Sequence, residues 1–134
     1  MLITLAKLSS IQIFAIDYSL SPESNFPKAI DETISSYNAL IERGFKNENI
    51  YFGGDSAGGN LTLVSTLKLQ ELNQKLPSKL FLLSPWTDLT GEGRSIKENS
   101  KSDPYLSYDN WLNTSLSMQK TVKEWYAPNQ DYKN

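Results

Sequence analysis

The sequence predicts an α/β fold in which parallel strands are joined by crossover helices. Two observations carry that prediction. Short apolar runs rich in β-branched and aromatic residues recur at residues 11–17 (IQIFAID), 50–54 (IYFGG) and 79–84 (KLFLLS). Between them lie longer stretches whose apolar residues return at helical spacing. The order strand–helix–strand–helix–strand implies parallel pairing through right-handed crossovers. The apolar runs lack polar alternation, which is the pattern of strands covered on both faces.

The first segment, MLITLAKLSSIQIFAIDY, reads as the end of a helix entering the strand at 11–17. Lys7, Ser9, Ser10, Gln12 and Asp17 interrupt it, so no run nears the roughly 20 apolar residues that a membrane span needs. No small-residue cleavage site follows a basic start. The expectation is a cytoplasmic protein without a membrane span. Residues 18–27 hold Ser21, Pro22, Asn25 and Pro27, the composition of a loop.

A helix is expected over residues 27–43. Pro27 lacks an N–H that would be unpaired at a helix start. Asp31 and Glu32 sit early, where the dipole favours negative charge. Ile30, Ile34, Tyr37 and Ile41 share one face, and Gly44 is the natural left-handed stop. A second helix is expected over 57–73, with Leu61, Val64, Leu67 and Leu72 as its buried stripe and Leu63 and Leu69 as further apolar surface. Pro85 closes the strand at 79–84, and residues 87–103 are polar and irregular. Ser107 and Asp109 are alternative caps of a last helix running to Tyr126 and ended by Pro128.

Composition narrows the function classes. A chain of 134 residues suits one domain, and 39% hydrophobic against 21% charged residues allows a packed core. Net charge is −2 with both signs scattered, so no basic patch points to nucleic acid. There is no cysteine, which excludes disulfides, thiolate chemistry and cysteine-ligated zinc. There is also no histidine, the usual general base because its unperturbed pKa is about 6.5.

The chemistry-bearing motif is Gly54-Asp55-Ser56-Ala57-Gly58, a G-x-S-x-G pattern at a strand-to-helix junction. So sharp a reversal holds the serine in a strained backbone conformation and lifts its Oγ above the sheet. Residues two before and two after the serine are expected to crowd each other, so that only glycine fits at Gly54 and Gly58. The helix that follows turns its positive end toward the serine, and the Ala57 N–H is the expected oxyanion donor. Ser56 is the expected nucleophile.

IDYSLSPE, FPKAIDE, IYFGGDSAGGNL, LFLLSPWTDL and NSKSDPYLS resemble consecutive blocks of hormone-sensitive-lipase-like (bacterial family IV) esterases. The resemblance covers nearly the whole chain. It implies a partial α/β-hydrolase fold with part of a helical cap region. It also implies a small carboxylic-ester substrate and no metal or organic cofactor, and it places the nucleophile at Ser56 and an oxyanion donor at Ala57, within motif glycines Gly54, Gly58 and Gly59. Oligomeric state stays open.

The chain departs from that family in several ways. An HGGG-type oxyanion loop precedes the IDYRLAPE block in the family, and an acid and then a histidine follow the serine; neither region is in residues 1–134. Ser19 stands where the family has arginine. The expectation is a single partial domain, an internal piece of a longer hydrolase, with very weak or no turnover as it stands. A non-catalytic ligand-binding member of the superfamily and a non-functional gene remnant are the alternatives. A missing neighbour would leave the strand at 11–17 unpaired or force a non-native pairing. Asp103 is either the acid or a turn aspartate, and Asp55 is either a turn residue or a triad member. Trp86, Trp111 and Trp125 either line an acyl pocket or pack the core. Asp17 and Glu23 are expected to anchor loops, and Asn60 to be a polar group at a helix start.

Overall fold

A computed structural model describes residues 2–90, 92–99, 101–104 and 122–128. Its elements, in chain order, are α1 (Leu2–Ser9), α2 (Lys28–Glu42), a short 3-10 turn (Asn47–Asn49), β1 (Tyr51–Asp55), α3 (Ala57–Glu71), β2 (Lys79–Leu83), α4 (Arg94–Glu98) and one wide helical turn (Val122–Tyr126). The caps expected at Ser107 and Asp109, and Trp111, lie outside the described residues.

β1 and β2 pair in parallel, with Tyr51 opposite Lys79 and Asp55 opposite Leu83. α3 is the crossover between them, as the alternation of elements predicts. α2 begins after Pro27 and carries Ile30, Thr33, Ile34 and Tyr37 into the interior. Gly44 ends it at φ +91°, a backbone region that disfavours other residues. The Gly44 and Phe45 N–H groups then bond back to the Ile41 and Leu40 carbonyls.

The core gathers Ile30, Ile34 and Tyr37 of α2, Ile50 at the entry of β1, and Leu69 of α3. Tyr37 meets the Phe52 ring edge-on at 5.3 Å between centroids. Its hydroxyl donates to the Lys75 carbonyl at 2.8 Å, so the polar tip of a buried ring is satisfied. Burial pushes the Tyr37 phenol above its ordinary range.

Three expectations about the fold are corrected. Residues 11–17 form no strand. A strand needs a backbone neighbour, and among the described residues β1 and β2 make the only sheet. Ile11, Phe14 and Ile16 are accordingly 54%, 53% and 38% exposed, with the Phe14 ring resting edge-on against Phe45. Among the described residues, the sheet, expected to be covered on both faces, is covered on one, by α3. Tyr51, Phe81 and Leu83 share the opposite face by register and stand exposed.

The third correction concerns α3. Its buried residues are Gly59, Thr62, Ser65 and Leu69, not the predicted leucine stripe. Leu67 and Leu72 are exposed, while Leu61 and Val64 pack at the core's margin. Small side chains let the helix lie close on the strands, and that closeness outweighs hydropathy. Ser65 is fully buried, and its hydroxyl finds no hydrogen-bond partner among the described residues.

The loop before α2 is tied by a contact that the sequence did not disclose. Glu32 accepts hydrogen bonds from the Ser19 N–H at 2.7 Å and the Ser19 hydroxyl at 2.8 Å, and it pairs with Lys28 at 3.4 Å. Glu32 is thus one side-chain anchor of this loop, and the Asn25 side chain on the Trp125 carbonyl is another, where Asp17 and Glu23 were expected. The two Ser19 hydrogen bonds first, and Lys28 after them, hold the Glu32 carboxyl below its ordinary range. Its folded pKa therefore lies below its unfolded one. The stabilisation is complete above the unfolded pKa and is lost as pH falls through the folded pKa. Urea unfolding between about pH 6 and pH 3 should show the parent losing more stability than Glu32→Gln. Equal losses would mean that Ser19 does not bind this carboxylate.

Candidate active site

The site is built where β1 ends and α3 begins. Ser56 connects them with φ 53° and ψ −115°. A non-glycine residue at positive φ is uncommon, and such positions cost about 1–3 kcal/mol when the surroundings enforce them. Ser56 is exposed, as are Asp55 before it and Ala57 after it. The serine thus projects at the carboxyl end of a parallel strand, the end at which open α/β sheets bind ligands. Ala57 opens α3, so its N–H has no carbonyl one turn earlier to bind.

Hydrogen bonds from both sides enforce the turn. The Ser56 N–H donates to the Leu83 carbonyl at 3.0 Å, extending the ladder past the end of β1. The Ser56 carbonyl accepts from the Asn60 N–H at 3.1 Å and from the Trp86 N–H at 3.0 Å. β2 therefore positions the serine as much as β1 does, through the segment 83–86.

Close packing explains two of the three motif glycines. A Cβ on Gly54 would lie 2.2 Å from the Gly58 carbonyl carbon and oxygen and 2.7 Å from the Gly59 nitrogen. A Cβ on Gly59 would lie 2.8 Å from the Pro85 Cβ. At Gly58, however, a Cβ would meet nothing within 4 Å. The expectation that Gly58 is crowded is corrected. Its backbone crowds Gly54, while its own side faces open space. Pro85 places the second strict requirement at Gly59.

The other singled-out residues fall in different places. Asp55 is the last residue of β1. Asp103 closes the turn after α4, with its N–H on the Asn99 carbonyl. Trp86 is half-buried beside the serine turn, and its indole N–H donates to the Asp88 carbonyl at 2.9 Å. Trp125 is exposed, and its carbonyl accepts from the Asn25 side chain. Asp88, not singled out in advance, organises the next loop. It accepts from the Thr90 N–H and hydroxyl and from the Gly93 N–H. An Asp two residues before a Thr, followed by glycine, is the Asx-turn signal that would have found it.

The sequence matches the α/β hydrolase fold family over residues 1–133. The chain belongs to that family, within its hormone-sensitive-lipase-like branch. It is similar to an esterase of Acinetobacter venetianus, with 40% identity over 78% of this chain and 35% of the relative. Mouse hormone-sensitive lipase is 34% identical over 72% of this chain and 13% of the relative. Among solved structures, a hormone-sensitive-lipase homologue from a metagenome library superposes with a TM-score of 0.82. It is 37% identical, and the match covers 97% of this chain and 42% of that one. This chain thus spans less than half the length of each of these three relatives. No helix among the described residues is long and apolar enough to cross a membrane.

Proposed function

We infer that the chain is the nucleophile-bearing part of a carboxylic-ester hydrolase, with Ser56 as the nucleophile. The observation that carries this reading is the enforced positive φ of an exposed serine between β1 and α3. Relatives described as an esterase and as acetyl-hydrolases support the substrate class.

In this reading the Ser56 Oγ attacks the carbonyl carbon of a small ester and its proton passes to a general base. The Ala57 N–H and the positive end of α3 hold the negative charge that forms on the carbonyl oxygen. Collapse breaks the ester C–O bond, the alcohol leaves with the proton, and water then frees the acid from Ser56. The reaction needs no metal or organic cofactor. The base has no histidine to draw on within the 134 residues, so the isolated chain has very weak turnover or none.

The test is a graft. This chain replaces the matching segment of the Acinetobacter venetianus esterase, and hydrolysis of p-nitrophenyl butyrate is followed. Ser56→Ala in the active graft should lower kcat by about 10⁶. A Ser56→Ala graft that still hydrolyses at the parent rate would end the proposal.

A further inference from the structure

We propose that Asn60 is the positioning residue of Ser56, acting as a clamp between the serine turn and the turn that follows β2. The Asn60 side-chain N–H donates to the Trp86 carbonyl at 2.8 Å. The Trp86 N–H in turn donates to the Ser56 carbonyl at 3.0 Å, and the Asn60 N–H donates to the same carbonyl at 3.1 Å. The three residues thus close a ring of hydrogen bonds around one peptide group, that of Ser56.

The ring joins two turns held in a backbone region that L-residues seldom adopt. Ser56 has φ 53° and Ser84, just after β2, has φ 40°. Each turn leaves the carboxyl end of its strand, and in isolation each would relax. Pro85 lies against Gly59, so the two turns meet in van der Waals contact as well. Asn60 suits the task for a physical reason. From the first turn of α3 its backbone N–H reaches the Ser56 carbonyl, leaving the carboxamide free to bridge outward. A carboxamide donates without charge, and an aspartate at neutral pH, having no hydrogen to give, would turn its oxygens on the Trp86 carbonyl. Removing this donor frees the 84–86 segment, loosens the Trp86 bond to Ser56, and lets the serine leave its enforced conformation.

The word "positioning" rests on Ser56 being the nucleophile, but the decisive measurement does not. Amide hydrogen exchange is followed residue by residue in the full 134-residue chain, in Asn60→Ala and in Asn60→Asp. Asn60→Ala removes bulk and donor together. Asn60→Asp keeps the shape, replaces the donor with a carboxylate oxygen facing the Trp86 carbonyl, and adds a charge that the first turn of a helix favours. The expected result is exchange at the Trp86 amide about tenfold faster in both variants. The Ser78 amide, bonded to the Ile50 carbonyl at the far end of the sheet, should stay within about twofold.

Unchanged Trp86 exchange overturns the clamp. So does equal acceleration at Trp86 and Ser78, which makes Asn60 a contributor to general stability alone. So too does an unprotected Trp86 amide in the parent chain. In the active graft, Asn60→Ala should lower kcat about tenfold with KM within about twofold. A graft that is inactive with Asn60 intact counts against the nucleophile reading, while the exchange pattern still decides the clamp.

Discussion

p-Nitrophenyl butyrate incubated with the isolated 134-residue chain is expected to hydrolyse at least about 10⁶-fold more slowly than with an active graft. The reason is a missing proton acceptor. Serine is a weak nucleophile until a neighbouring base takes its proton, and this chain has no histidine. A held serine and one oxyanion donor remain, and such remnants leave at most about 10³–10⁴-fold over water even when the rest of the site is whole. Spectrophotometry of p-nitrophenol release decides the matter. A burst of one product per chain would show that another group in these residues activates Ser56.

Gly54→Ala is expected to destabilise the fold by more than about 4 kcal/mol, while Gly58→Ala should be neutral or stabilise it by up to about 1 kcal/mol. The contrast is geometric. At Gly54 the new methyl would overlap backbone atoms at 2.2 Å. Those atoms belong to the first turn of α3, which Pro85 and the Ser56 hydrogen bonds hold in place. The turn can yield only by opening. At Gly58 the methyl would enter open space, and alanine is the better helix former. Urea unfolding of the two variants beside the parent measures both effects. Similar losses for the two would refute the packing described at this turn.

The serine turn was legible because its constraints are local. Glycines, a serine and a strand-to-helix change stand within a few consecutive residues, and backbone sterics dictate the rest. α2 was legible for the same reason, from Pro27 to Gly44. Residues 11–17 misled because strand propensity has no effect without a partner strand, and pairing is not written in the run itself. α3 misled because its buried face is chosen by close approach. Gly59, Thr62 and Ser65 recur at helical spacing, and that row of small residues was the available signal. The Glu32–Ser19 bond joins residues 13 apart through a loop, a closure that no periodicity reports. Exposed apolar side chains lie on α1, on residues 11–20 and on the sheet face that carries Tyr51, Phe81 and Leu83.

All of the chemistry proposed depends on one hydroxyl held out of the protein at a strained turn. Mass spectrometry of the active graft after treatment with a fluorophosphonate ester tests that most directly. A single adduct is expected, on the peptide bearing Ser56, absent from Ser56→Ala. An adduct on any other residue, with Ser56 unmodified and hydrolysis abolished, would contradict it.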